Sequence, residues 1–320
     1  MPRPLPNAHI IILFALSSTA LIGQVPQQIR DSIDRITGRE GVYSSDDKVY
    51  KIVLPREEAT IVWDYQKLSP NLGLNSWAAF KQASHDEATF TGQLLLLEDE
   101  VDPVISAALD ARLDVTGLAS SSVFDGPHLY ALDVTARGTF EELATGFRKC
   151  LDVIQQVRRS RNRPSVTRPD APVESSIDPA PLDAVLEMKG TMIGGTYRAA
   201  IGTRALLYGE SVGREMGMST WVSVAGTNDR SVAHGDFVTT ADDLQNVLKA
   251  LRAKGISITS IRNHTLGEHP RLVFVHFWGE GSALDLVRAI RFALDAQVGS
   301  AATVTTKVVR SGTTTPKASR

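Results

Sequence analysis

A long internal repeat constrains this chain more than any other feature. A shift of 143 residues aligns Gly92 with Gly235 and Pro127 with Pro270, and a shift of 144 aligns Trp77 with Trp221. Small loop insertions account for the drift between the two offsets. Chance rarely keeps a glycine, a proline and a tryptophan in register over such a span, so the sequence predicts two copies of one module.

The repeat divides the chain into five parts. We expect a first module over residues 25–156 and a second over residues 179–298. Residues 157–178, rich in Arg, Pro and Ser, are predicted to be a linker. Residues 299–320, rich in Thr, Ser and Lys, are predicted to be a flexible tail.

The remaining part, residues 1–24, has the order of a secretory signal peptide. Arg3 and the chain amine precede the apolar run 10–16, and small residues follow. The run is too short for a span of about 20 residues. We therefore expect an exported protein, periplasmic or extracellular and without a transmembrane domain; an uncleaved anchor and a mispredicted start are the alternatives. No cysteine lies near the cleavage region, so no lipid attachment is expected there.

Composition narrows the classes of partner. A formal net charge of −2 supplies no field that would attract nucleic acid. No Gly-rich phosphate loop or dinucleotide motif occurs, so no nucleotide cofactor is expected. The single cysteine, Cys150, falls on the apolar face of a predicted helix and is predicted to be a buried hydrophobic residue. The expected partners are a small molecule or an envelope protein.

Each module is predicted to follow the order β-α-β-β-α after a short leading strand. In the first module the leading strand covers 77–80, the strands are 88–97, 114–119 and 129–135, and a helix opens at the acidic run 98–102. The second helix begins at a capping box, Thr139 with Glu142, which Ser282 and Asp285 mirror in the second module. Moving the leading strand to the end of each module gives the order of a ferredoxin-like fold.

The strand 271–278 is apolar on both faces. Leu272, Phe274 and Trp278 share one face with His276, and the residues between them are also apolar. Two helices per module cover only one face of a sheet, so the second face needs another cover. We predict an α+β fold of two circularly permuted ferredoxin-like modules whose sheets pack face to face as a pseudo-two-fold barrel or sandwich. A face-to-face homodimer would satisfy the same pattern.

The chemically richest segment, residues 262–281, lies in the second module. Three histidines and a glutamate gather there around one predicted hairpin, and this combination suits metal binding or proton transfer near neutral pH. The candidate catalytic residues are His264, Glu268 and His276. The candidate ligand-binding residues are Arg262, Asn263, Arg271 and Trp278.

His264 and His276 are also candidate ligands of a divalent metal. In a simple hairpin they lie about five residues apart along the strands, or ~16 Å at roughly 3.3 Å per residue. Zinc ligands bind at about 2 Å, so a shared site needs an irregular loop or a ligand from the other module. The competing interpretation of His276 is a buried side chain held by one hydrogen bond.

These motifs resemble those of a known family, the LppY/LpqO-type envelope proteins, whose domain has no known function. The resemblance covers both modules and rests on the Gly-x-x-Ser/Thr-Trp motifs at 73–77 and 217–221, the acidic run and the histidine hairpin. Family members carry a His-Asn-His triplet, then Glu, Pro-Arg and a later His. The matching residues are Asn263, His264, Glu268, Pro270, Arg271 and His276, while Arg262 replaces the first histidine. In the first module the triplet reads Ala119-Ser120-Ser121, and Asp133 replaces His276.

Two functional hypotheses follow. The first is an exported envelope protein that binds a small ligand or a partner without catalysis, because the first module lacks the histidines and no nucleophile–base–oxyanion motif occurs. The second is a metal-assisted or acid–base hydrolase or lyase with one active site in the second module.

Overall fold

The computed structural model describes residues 24–56, 62–63, 66–67, 74–84, 86–121, 125–160 and 175–297. Nearly all of the predicted signal peptide, most of the predicted linker and the whole predicted tail lie outside these ranges.

The two halves of the chain repeat one order of helices and strands, except that the short β8 of the first half has no described counterpart in the second. The first half contains α1 (Gln27–Thr37), β1 (Val42–Ser44), β2 (Val49–Pro55), β3 (Val62–Trp63), β4 (Gln66–Lys67), β5 (Asn75–Gln82), β6 (Ala88–Leu97), α2 (Glu98–Asp110), β7 (Asp114–Ser120), β8 (Asp125–Gly126), β9 (Leu129–Gly138) and α3 (Phe140–Ser160). The second contains α4 (Pro179–Leu186), β10 (Thr191–Ile193), β11 (Thr196–Gly202), β12 (Ala205–Leu207), β13 (Glu210–Val212), β14 (Ser219–Gly226), β15 (Ser231–Thr240), α5 (Leu244–Ala253), β16 (Ser257–Arg262), β17 (Leu272–Gly281) and α6 (Ala283–Asp295).

Twelve strands form one antiparallel sheet in the order β1-β2-β5-β6-β9-β7-β16-β17-β15-β14-β11-β10. The order is palindromic, because each strand of the first half and its equivalent in the second lie equally far from the centre. At the centre, β7 pairs with β16 through Leu118 and Ile261. These two residues are equivalent under the shift of 143, so a pseudo-two-fold axis passes between them.

The predicted fold class is wrong. It described two ferredoxin-like modules packed through their sheet faces as a barrel or sandwich. The two halves instead join edge to edge in a single mostly antiparallel sheet. The helices of both halves pack on one face of that sheet and share one continuous hydrophobic core.

The prediction fails because a short hairpin, not a second sheet, covers the other face of β17. Hairpin β12–β13 lies over the end of β17 and buries a second apolar cluster, which consists of Ala205, Val212, Met218, Val238, Leu272 and Phe274. An insertion within the repeat therefore satisfies the apolar pattern of β17 on both faces. The alternative of a face-to-face homodimer stays a prediction.

Side-chain hydrogen bonds fasten the two repeats near the axis. The Gln245 amide on α5 donates to the carbonyl of Val115 at 2.8 Å and accepts from its N–H at 3.0 Å. Asp102, at the equivalent position on α2, accepts from the N–H of Ile258 at 3.2 Å. In the described chain β7 and β16 pair at one residue each, so the strands diverge on both sides of the axis and a cleft opens at each divergence.

Candidate functional site

A polar cluster lies in the second repeat, on the sheet face opposite the helices. Strand pairing places His276 of β17 directly across from Asp236 of β15. Nε2 of His276 lies 3.1 Å from Oδ2 of Asp236 and 2.6 Å from Nη2 of Arg262, at the end of β16. We call Asp236, His276 and Arg262 the Asp–His–Arg cluster.

The two contacts of His276 Nε2 limit where a proton can reside. An arginine donates hydrogen bonds and accepts none, so the contact with Arg262 uses the lone pair of Nε2. A hydrogen bond from Nε2 to the Asp236 carboxylate would instead need a proton on that nitrogen, so the two contacts compete for one position on the ring. Burial raises the pKa of Asp236 against the lowering effect of the charges on His276 and Arg262.

The pKa of the His276 imidazole is shifted in the opposite direction. Burial lowers the pKa of His276, the charge of Asp236 raises it, and the charge of Arg262 lowers it again, so the net pKa lies below the usual value. His276 is therefore a neutral imidazole near neutral pH, able to accept a hydrogen bond or a proton.

We predict that the pKa of His276 moves in opposite directions in two variants. Asp236→Asn removes a negative charge and lowers this pKa further, whereas Arg262→Gln removes a positive charge and raises it. Imidazole titration by NMR measures both shifts. An unchanged pKa in both variants would show that the cluster is not electrostatically coupled.

Asp236 carries the clearest mark of a functional site. It is 5% exposed, and its Oδ1 has no hydrogen-bond partner among the described residues. An unpaired buried acceptor costs about 1–3 kcal/mol, so such an atom in a folded protein calls for an explanation. On its other side Asp236 pairs across strands with Trp221. The Trp221 ring meets the His234 ring edge-on, with the two centroids 5.4 Å apart, and the Arg198 guanidinium lies over the Trp221 ring, 4.7 Å from its centroid.

The structure places His264 beside the cluster. Its exposed ring meets Phe274 edge-on, with the centroids 4.8 Å apart. It also lies against Gly217, where an added Cβ would stand 2.7 Å from Cε1 of His264. Gly217 begins the Gly-x-x-Ser/Thr-Trp motif, so the two motifs that the sequence singled out are in contact.

Glu268 serves the loop that precedes β17. It is buried, and its carboxylate accepts from the N–H of Leu272 at 3.0 Å and from the hydroxyl of Thr265 at 2.8 Å. Burial alone would raise the pKa of Glu268, but these hydrogen bonds outweigh it and lower the pKa. Both oxygens are engaged within the loop, so the structure does not bring Glu268 together with His276.

The metal hypothesis finds no ready-made ligand set. Within the ranges that the structure describes, no three His, Cys, Asp or Glu side chains are placed to hold one metal ion. A metal shared by His264 and His276 stays a prediction.

Three of the predicted ligand-binding residues meet at one side of the axis. Arg262, Asn263 and Arg271 line a cleft of about 690 Å³ that spans the boundary between the repeats. The other walls come from β7, β9 and the start of α5, and their charged residues are Asp114, Asp133 and Asp242. We call this the arginine cleft.

Trp278 lies in the equivalent cleft on the other side of the axis. That cleft measures about 830 Å³ and is also lined by Tyr130, by His128 and by the acidic start of α2. The first-repeat equivalents of Arg262, Asn263 and Arg271 are Ala119, Ser120 and His128. The tryptophan cleft, as we call it, therefore has no arginine wall among the residues that the structure describes.

Comparison with protein families identifies the repeated unit. A family model described as Domain of Unknown Function (DUF1259) matches residues 31–153 and 180–296. The chain belongs to this family. Its two matched ranges confirm the internal duplication of the DUF1259 domain.

The other comparisons add little to the DUF1259 assignment. No curated protein matches the chain. A trimeric bacterial microcompartment shell protein, PduB, matches 79% of this chain and 88% of its own chain at 9% sequence identity. The TM-score of 0.18 is too low to indicate a shared fold. In the described part of this DUF1259 protein, no helix has the length and apolar character needed to cross a membrane.

Sequence reasoning missed Asp236, and with it His234 and Trp221 as neighbours of the site. Asp236 is the only carboxylate of its strand and belongs to no motif that the sequence singled out, and it lies 40 residues before its partner His276. The available signal is its alignment with Gln93. In the first repeat Gln93 donates from Nε2 to Oδ1 of Asp133 at 2.8 Å, so both repeats of the DUF1259 domain have a polar pair at this position.

Proposed function

We propose that this DUF1259 protein binds a small anionic ligand in the arginine cleft and does not transform it. One observation carries the proposal. The Arg262 side chain is 40% exposed and lines the cleft beside Arg271 and Asn263, while its guanidinium contacts His276 and lies 3.7 Å from Asp236.

The chemistry of this wall suits a carboxylate. A guanidinium offers donors in a planar fork that matches two oxygens, and an asparagine amide adds further donors. The contacts of the Arg262 guanidinium with His276 and Asp236 hold the end of its side chain in place. Less conformational freedom is then lost when a ligand binds.

Binding of caproate, a six-carbon carboxylate, tests the proposal. We expect Arg262→Gln and Arg271→Gln each to weaken caproate binding about tenfold, because each removes a charge-assisted hydrogen bond. Isothermal titration calorimetry or NMR line shifts measure the affinity. Arg288→Gln, which removes an exposed arginine from α6 on the helix face, is the matched control.

Unchanged affinity in both cleft variants, or an equal loss in the control, would overturn the proposal. So would the absence of caproate binding at millimolar concentration.

A second candidate is acid–base catalysis of a hydrolase or lyase reaction at the same cluster. The lowered pKa of His276 favours it, since a neutral imidazole beside a buried carboxyl can accept a proton from a bound substrate. Hydrolysis of a panel of nitrophenyl esters tests it. A rate above background that disappears in His276→Gln, while caproate still binds, would establish catalysis in place of simple binding.

The proposed location of this function is the cell envelope. Its support is the signal-like order of residues 1–24 and the resemblance to the LppY/LpqO-type envelope proteins. Fractionation of cells that express the full chain, followed by N-terminal sequencing, tests both export and cleavage.

A further inference from the structure

The arginine cleft carries charges of both signs. Two arginines, Arg262 and Arg271, lie in its wall, and three carboxylates, Asp114, Asp133 and Asp242, line it as well. An anion needs only the arginine wall. Resting on the proposed function, we infer that the ligand is a small amino carboxylate, with an ammonium group for the carboxylates and an anionic group for the arginines.

The opposite charges in the cleft do not neutralise one another. Within the described residues, neither arginine forms an ion pair with any of the three carboxylates, and the carboxylate nearest Arg262 is Asp236 of the cluster. The positively and the negatively charged side chains of the cleft therefore both remain available to a ligand. A cleft that separates them favours a molecule that separates its own charges in the same way.

Asp133 is held in position for this role. Gln93 donates to its Oδ1 at 2.8 Å, so one oxygen is fixed from the strand behind it. Gly117 of β7 leaves room for the carboxylate, since an added Cβ there would lie 2.9 Å from Oδ2. The glycine and the amide together set where this carboxylate meets the cleft.

The duplication explains how such a cleft arises. Asp133 occupies the position that His276 holds in the second repeat. The pseudo-two-fold axis brings the first-repeat position to the wall that faces Arg262, so the aspartate that stands there in place of a histidine lies opposite an arginine. The tryptophan cleft lacks this arrangement, as none of its described lining residues is an arginine.

The size of the cleft fits a ligand of this class. Small-molecule sites measure about 300–1,000 Å³, and the arginine cleft measures about 690 Å³. A free amino acid and the two ends of a short peptide share the required chemistry, and they differ in the distance between their charges.

Three probes with the same six-carbon chain test the inference on the full chain. They are caproate, which is an anion, hexylamine, which is a cation, and ε-aminocaproate, which carries both charges. We expect ε-aminocaproate to bind at least about tenfold tighter than caproate. Asp133→Asn and Asp114→Asn should each reduce that preference severalfold and leave caproate affinity equal or higher.

A matched control is Asp46→Asn, which neutralises an exposed carboxylate in the turn between β1 and β2 at the far edge of the sheet. It should leave both affinities unchanged. Glycine and diglycine, compared in the same assay, distinguish a free amino acid from a peptide with separated ends.

The outcomes separate this inference from the proposed function. If caproate binds and Arg262→Gln weakens it, but ε-aminocaproate binds no tighter, the anion site stands and the inference is overturned. If hexylamine binds best and caproate does not bind, both are overturned. If the preference for ε-aminocaproate survives both aspartate variants, the carboxylates of the cleft do not recognise the ammonium group.

Discussion

Replacing Glu100 by alanine is expected to lower the free energy of unfolding by about 3–5 kcal/mol, the usual cost of breaking a buried ion pair. Glu100 is fully buried, and Nη1 and Nη2 of Arg56, itself 3% exposed, each donate to its carboxylate at 2.9 Å. Arg158 at the end of α3 donates to it at 3.2 Å, and the N–H of Leu97 at 2.8 Å. The substitution therefore strips a buried guanidinium of its carboxylate and uncaps α2.

The matched control is Glu87→Ala in the same repeat. Glu87 pairs with Arg137 at 2.8 Å, a distance like that in the buried pair, but the two side chains are 45% and 66% exposed. Solvent screens such a pair, so its loss should cost less than about 0.5 kcal/mol. Urea unfolding followed by circular dichroism compares the variants, and equal losses would contradict the role given to Glu100.

The effect of Glu100 should also depend on pH. Burial alone would raise the pKa of Glu100, but the hydrogen bonds and charges of Arg56, Leu97 and Arg158 lower it below the usual value. A carboxyl whose pKa is lower in the folded state stabilises the protein above its unfolded pKa, and this contribution is lost as the pH falls through the folded pKa. The difference in free energy of unfolding between the wild type and Glu100→Ala should therefore become smaller at acidic pH.

Local patterns predicted the individual helices and strands well. Strand β6 has the predicted bounds, Ala88–Leu97, and α2 begins at the acidic run. The capping box at the start of α3 forms, with Thr139 Oγ1 accepting from the N–H of Glu142 and Glu142 accepting from the N–H of Thr139. These features depend on side-chain periodicity and on contacts within a few residues, which the sequence displays directly.

The joining of the repeats could not be predicted in the same way. It depends on one backbone pairing, Leu118 with Ile261, and on side chains that bond across the boundary, such as Gln245 with Val115 and Asp102 with Ile258. An apolar strand face shows that a cover exists, but not whether a sheet, a second subunit or a hairpin supplies it. Here β12–β13 supplies it, and both are strands of three residues with no strong pattern of their own.

The candidate site was predicted in part for the same reason. The histidine hairpin directed attention to Arg262 and His276, which do meet. Adjacency in sequence also suggested that Glu268 would join them, but its carboxylate is bound by the N–H of Leu272 and the hydroxyl of Thr265. Asp236 enters through strand pairing between β15 and β17, a contact that a single sequence does not reveal.

Gly235→Ala is the second substitution expected to have a large effect, with a cost of roughly 3 kcal/mol, at the upper end for overpacking. An added Cβ at Gly235 would lie 2.2 Å from the carbonyl oxygen of Trp221 and 2.4 Å from Cζ of Phe277. The carbonyl belongs to the neighbouring strand β14, so it cannot retreat without opening the pairing of β14 with β15. Phe277 is fully buried and has little room to turn.

The duplication supplies the control, because Gly92 is the aligned glycine of the first repeat. A Cβ at Gly92 would lie 3.0 Å from the carbonyl oxygen of Trp77 and 3.1 Å from Cζ of Phe90, a crowding that a small shift relieves, so Gly92→Ala should cost only about 1 kcal/mol. Gly235 also precedes Asp236, so its variant should disturb the His276 NMR resonance and weaken caproate binding, whereas Gly92→Ala should leave both intact. Chemical denaturation measures the stabilities. Equal costs would contradict the closer approach of β14 to β15 at Gly235. An undisturbed His276 resonance in Gly235→Ala would show that this close approach does not hold the Asp–His–Arg cluster in place.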